Sequence, residues 1–307
     1  MVSRRSLIWI LTASLVLTSC RTFASPSPTP DSASEPTSLP ATATPAPDYA
    51  TRLRNAEYQL GLSDGLRIVQ LTDGVFSQGE AGSVDFTSVT MTDFIARGDL
   101  NGDGVDEYVA MVAENYGGTG TFVFLAVFIE AGGTFKFQTS VLVDDRPLLN
   151  ELSIANGEIF LDATIHAADD PMCCPSLRTQ RHYRLTYNHL RMSDYVTFTP
   201  DGRPRTITID FPANRAEVFR SIPLKGSVAI APFENNLVYR IYDLGGVELA
   251  IGSIMVTAPE LGAPGTFDQT IALGNILTGT VIRLEVQDIN AEDGSLFAMD
   301  SVELVVK

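Results

Sequence analysis

The sequence predicts a mainly all-β protein: an antiparallel β-rich N-terminal domain over 49–200, then a C-terminal β-sandwich over 203–307. Three observations carry this. Long stretches of helical periodicity are scarce. Short apolar runs alternate with polar residues at the period of a strand. Turn-forming dipeptides, among them Asp73-Gly74, Gly132-Gly133 and Asn156-Gly157, sit between or beside those runs.

In the first domain, strands are expected near 66–72, 84–96, 106–114, 121–130, 134–143, 158–166, 178–187 and 192–199. "TFVFLAVFI" (121–129) is almost wholly apolar and predicts a strand covered on both faces. A short helix is expected at most around 49–57 or in the connection 144–154.

The register changes near Pro200-Asp201-Gly202, and runs follow at 206–211, 223–230, 237–243, 247–256, 266–273, 279–288 and 300–306. In the sixth, Ile282, Leu284 and Val286 are expected to face a core, and Arg283, Glu285 and Gln287 to face water. Seven short strands in roughly 100 residues is the pattern of an immunoglobulin-like sandwich. No cysteine pair lies in this region, so apolar packing must hold it.

The segments "PLKGSVAIAPFENNLVYRIYDLGGVELAIG", "GAPGTFDQTIAL" and "RLEVQDINAEDGS" resemble the immunoglobulin-like domain of bacterial spore-germination proteins, the GerMN-associated kind. The likeness covers roughly 206–306 and is carried by Gly226, Pro232-Phe233-Glu234, Tyr239, Ile241, Gly265, Phe267 and the run Glu292 to Ser295. It implies an extracytoplasmic, non-catalytic module. The first domain resembles bacterial lipoproteins with a "GDLNGDGV" loop, an "ENYGG" turn and a "DDPMCCP"-like loop, a likeness that implies no activity.

At the N-terminus, Arg4 and Arg5 precede an apolar run, Leu7 to Leu17, too short for an ordinary membrane span. Leu17-Thr18-Ser19-Cys20 resembles the lipobox of bacterial lipoproteins. The resemblance implies a signal peptide over 1–19 and lipidation of Cys20; a secretory signal with a chance cysteine is the alternative. Residues 21–48 are rich in Pro, Ser, Thr and Ala, which cannot bury enough apolar surface to offset chain entropy. At about 3 Å per residue such a tether reaches up to about 85 Å. The expected location is extracytoplasmic, with the body held at the bacterial cell membrane by its lipid. A net charge of -16 argues against nucleic acid and against polybasic contact with anionic lipid.

"GDLNGDGVDEY" (98–108) places Asp99, Asn101 and Asp103 at positions 1, 3 and 5 of an oxygen-donor loop, with Gly104 at the tight turn. The Val105 carbonyl fits position 7. Ala110 stands where an EF-hand requires glutamate, and no flanking helices are evident. The stretch resembles the calcium loop of FG-GAP repeats, which implies Glu107 as the closing ligand. A metal-free turn built on Asn-Gly and Asp-Gly is the other reading. One copy cannot make a propeller.

Cys173 and Cys174 in "PMCCPS" admit a vicinal disulfide, free buried thiols, or a metal or redox role with His166 or His182. "GLSDG" (61–65) matches a nucleophile elbow formally, but a strand-like "LRIVQL" follows where a helix is needed. His166, His182 and His189 have no motif partner, and Asp144-Asp145 and Asp169-Asp170 read as solvated loop charges. The function expected is that of a non-catalytic envelope lipoprotein that binds or scaffolds an envelope protein or glycan. The alternatives are an envelope hydrolase and a thiol- or metal-handling protein.

Overall fold

The computed structural model describes residues 48–62 and 65–307. The leader, Cys20 and most of the tether lie outside the described residues, as do Ser63 and Asp64 of the "GLSDG" stretch.

The described residues are all-β apart from a one-turn helix and a 3-10 turn. Helix α1 (Tyr49–Leu53) leads into β1 (Glu57–Leu60), β2 (Arg67–Gln70), β3 (Val75–Gln78), β4 (Thr87–Gly98), β5 (Glu107–Asn115) and β6 (Phe122–Ala131). Then come β7 (Thr134–Asp145), β8 (Leu148–Ala155), β9 (Glu158–Ile165), β10 (Leu177–Thr186) and β11 (His189–Phe198). The remainder carries β12 (Pro204–Arg205), β13 (Ile207–Phe211), β14 (Ala216–Val218), β15 (Ser221–Val228) and β16 (Asn236–Asp243). It ends with β17 (Glu248–Met255), β18 (Gly265–Ala272), β19 (Val281–Ile289) and β20 (Leu296–Val306).

Beside the ribbon β1–β2, the described residues form three sheets: five-stranded β3-β4-β5-β6-β7, three-stranded β13-β15-β18, and a ten-stranded sheet with the path β17-β16-β19-β20-β11-β10-β9-β8, to which β12 adds beside β11 and β14 beside β20. The largest sheet runs straight across the boundary expected near 200. Val196, Tyr195 and Asp194 of β11 pair with Ala298, Met299 and Asp300 of β20. The hydrophobic clusters, by contrast, stay on their own sides of that position. One draws on residues between Ile207 and Val306, the other two on residues between Leu53 and Leu190.

Strand alternation explains the layering. On β9 and β10, Ile159, Leu161 and Tyr183 pack against Val109, Leu125 and Val127 of the five-stranded sheet. On β19 and β20, Ile282, Leu284 and Leu304 pack against Ile222, Leu224 and Phe267 of the three-stranded sheet. Following the register from β10 through β11 to β20 puts these two covering layers on opposite faces of the large sheet. The second half is therefore sandwich-like.

The apolar run on β6 is buried on both sides, as its composition requires. Phe124, Ala126 and Phe128 join Leu53, Tyr58 and Val69 beneath the β1–β2 ribbon, while Val123, Leu125 and Val127 face β9. Each such large side chain contributes about 1.5–3 kcal/mol by leaving water.

Two expectations are corrected. The connection 144–154 is not a loop or short helix. Leu149, Leu152 and Ile154 reach the core, and Leu148–Ala155 pairs with β9 through a bulge at Asn150. Burial against a neighbouring strand outweighs local propensity here. Nor is the second face of β19 wet: Glu285 is 7% and Gln287 8% exposed. Arg283 Nη2 lies 2.8 Å from Glu285 Oε1, Gln287 Nε2 donates to Glu285 Oε2 at 2.6 Å, and Arg240 Nε donates to Gln287 Oε1 at 3.2 Å. β19 is internal to its sheet, so long side chains from both neighbouring strands cover it.

Candidate functional site

The loop 98–108 joins β4 to β5 as a hairpin whose closing pair is Gly98 and Glu107. Strands flank it. Gly98 is required by close packing, since a Cβ there would meet Ile154 Cγ2 at 2.7 Å. Gly102 and Gly104 take φ of 81° and 84°, which L side chains rarely adopt.

The loop's polar side chains order its own backbone. Asp99 Oδ1 accepts the amides of Asn101 and Gly102 at 3.2 and 2.7 Å, and its Oδ2 accepts that of Gly104 at 2.9 Å. Asn101 Oδ1 accepts from the Asp103 amide, and Asp103 Oδ1 from the Val105 amide, both at 2.8 Å. Glu107, only 2% exposed, accepts the Leu100 amide at 2.7 Å and the Asn101 amide group at 2.9 Å.

The electrostatics follow from this wiring. The Gly104 and Gly102 amides hold the Asp99 carboxyl below its ordinary range. Burial raises Glu107, and the charges of Asp103 and Asp99 raise it further. Asp99, Asp103 and Glu107, the Asn101 amide oxygen and the Val105 carbonyl are oxygen groups of the kind calcium accepts on a flexible loop. A cation here would relieve the repulsion. Among the described residues no three His, Cys, Asp or Glu side chains converge as a metal cluster. Asn101 also borders a cavity of about 400 Å³ whose other walls include Tyr187, Arg215 and Glu303.

No family model matches the chain, and no curated protein matches it.

Cys173 and Cys174 are joined as a vicinal disulfide on an exposed loop, with Cα atoms 3.8 Å apart. His166 Nε2 lies 3.3 Å from the Met172 carbonyl oxygen. The neighbouring acids do more than solvate the loops. Asp170 accepts from Ala167 N at 2.8 Å, Ser176 N at 2.7 Å and Ser176 Oγ at 2.8 Å, which ties the two ends of the cysteine loop together. Asp145 accepts the Thr121 amide at 2.7 Å and pairs with Arg146, which joins the start of β6 to the end of β7.

Sequence reasoning missed a polar row across three strands. His182 of β10 stands opposite Asp194 of β11, and Asp194 stands opposite Asp300 of β20. His182 Nδ1 is 3.3 Å from Asp194 Oδ1, and this bond raises the imidazole above its ordinary range. Asp300 is pushed up to about 6, chiefly by burial. No local signal announces this row, because the strand register alone assembles it.

Proposed function

We propose that this chain is a non-catalytic lipoprotein of the bacterial envelope that serves as a binding or scaffolding module. Cys20 carries the lipid and residues 20–48 form the spacer. The observation that carries the non-catalytic part is the wiring of the acidic loop: Asp99, Asn101, Asp103 and Glu107 are all committed to backbone amides or to one another. A group held that way braces a hairpin. Calcium bound by Asp99, Asn101, Asp103, Val105 and Glu107 would strengthen that brace. The resemblance of 206–306 to the immunoglobulin-like module of spore-germination proteins supports the same reading.

Cys20→Ser is expected to move the protein from the membrane to the soluble fraction, and mass spectrometry of the wild type is expected to find acyl chains on Cys20. In-cell cross-linking should recover a recurring envelope partner. Turnover of an ester, glycoside or peptide substrate that Asp103→Ala abolishes would overturn the non-catalytic reading. The exposed vicinal cysteine pair favours a thiol-based role as the second reading. Loss of partner capture in Cys173→Ser would support it.

A further inference from the structure

A second cleft lies at one end of the sandwich-like half, about 540 Å³ in volume. Arg205 of β12, Asp288 of β19, Phe297 of β20, Phe233, Leu261 and Glu292 line it. Phe233 and Leu261 stand on its walls 64% and 73% exposed, so the cleft offers apolar surface to a ligand. Glu234 and Asn235, directly after Phe233, have φ of 53° and 54°, a costly backbone for residues other than glycine.

Asp288 is the unusual group. It is 6% exposed, yet among the described residues no donor reaches its carboxylate within hydrogen-bond distance. Its nearest cation, Arg205 Nη1, is 3.9 Å away, and that guanidinium lies 4.5 Å over the Phe297 ring. Arg203, the other cation on the cleft, is 3.0 Å from Asp201. Burial accordingly lifts the Asp288 carboxyl above its ordinary range. The carboxylate is not sealed in: it opens on the cleft, where a donor from a ligand can reach it.

The ligand chemistry follows from charge balance. A simple anion would meet Asp288 and Glu292, and a simple cation would meet Arg205 and Arg203. A molecule carrying both charges on groups attached to one carbon replaces one loose ion pair with two charge-assisted hydrogen bonds at no change in net charge. Its apolar part then covers Phe233 and Leu261. We infer that this cleft binds a small zwitterion with an apolar side chain, of the size of a free α-amino acid, with the ammonium on Asp288, the carboxylate on Arg205 and the side chain against Phe233 and Leu261. This deepens the binding role proposed above by naming a ligand class for one site.

Titration calorimetry on the purified full chain tests it, with L-leucine and L-phenylalanine as probes. Leucinamide and N-acetyl-leucine each lack one of the two charges. At least one of the two amino acids is expected to give saturable heat, and its singly charged analogues are expected to bind at least about tenfold more weakly. Asp288→Asn should weaken the amino acid by about tenfold or more. Phe233→Ala removes only a rim contact, leaves the fold intact and should weaken binding about fivefold. The inference is overturned if neither amino acid binds up to about 10 mM, if the blocked analogues bind equally well, or if both variants bind like the wild type. Membrane release of Cys20→Ser is independent of all these outcomes, so failure of the cleft assignment is distinguishable from failure of the anchoring reading.

Discussion

Asp300 couples the two halves of the chain to pH. It stands opposite Asp194 on the neighbouring strand, and its two oxygens accept the Ile209 and Ser301 amides at 2.7 Å each. Its carboxyl titrates at about 6 in the folded chain against 3.8 for the free group, because burial and the Asp194 charge disfavour ionisation, against the opposing effect of those amides and of Arg184. A difference of about two pH units corresponds to about 3 kcal/mol. Since the folded state holds this proton more tightly, the cost is absent below about pH 4, grows as the unfolded chain ionises, and is complete above about pH 6.

Asp300→Asn removes the titration. It adds a roughly constant loss of about 1 kcal/mol, because an amide can accept only one of the two backbone N–H groups. The variant should thus be the less stable protein near pH 4 and the more stable one near pH 7, with the difference between the two changing by about 3 kcal/mol across that range. Urea unfolding of both proteins at several pH values measures it. Asp162 and Asp145, whose carboxyls are held low, push stability the other way, toward higher values as pH rises, but they are common to both proteins and cancel. A difference that stays constant to within about 0.5 kcal/mol, or that shifts toward the wild type as pH rises, would refute the reasoning.

Calcium is expected to raise the unfolding temperature, by an amount equivalent to about 2.7 kcal/mol at a hundredfold excess over Kd, and Asp103→Ala should abolish the rise. Melting curves identical in chelator and in calcium would reduce the loop to a turn. Gly226→Ala should cost several kcal/mol, because a Cβ there would meet the Thr208 carbonyl oxygen and Phe267 Cζ at 2.2 Å each; an unchanged denaturation midpoint would contradict that packing. A 203–307 fragment should unfold cooperatively, since the cluster from Ile207 to Val306 is contained in it, but at lower stability than the intact protein because β20 loses its pairing with β11. Noncooperative melting would show that the two halves fold only together.

Much of the architecture was legible because strands are written locally. Alternation at Ile282, Leu284 and Val286 identifies a core face, and the unbroken run on β6 identifies a strand buried twice over. The acidic loop was legible for the same reason: its donors and glycines lie within eleven residues, and a hairpin loop bonds chiefly to itself. The short strands β1, β3, β12 and β14 were not legible. Each has too few residues for a period to show, and pairing with a neighbour defines it.

The sequence by itself determined the fold class, most of the longer strands and the position of the acidic loop between two of them. Only the tertiary structure decided which strands are neighbours, and chemistry away from the loop depends on that. β20 reaches back about a hundred residues to β11, which creates the row His182, Asp194, Asp300. β12 swings Arg205 to within 3.9 Å of Asp288, too far for a hydrogen bond, and so leaves a buried carboxylate open to the cleft. The physical reason is that side-chain alternation encodes which face a residue takes but not which strand lies beside it. The partner is selected by how whole apolar faces bury together, a sum over distant residues that no short window of sequence contains.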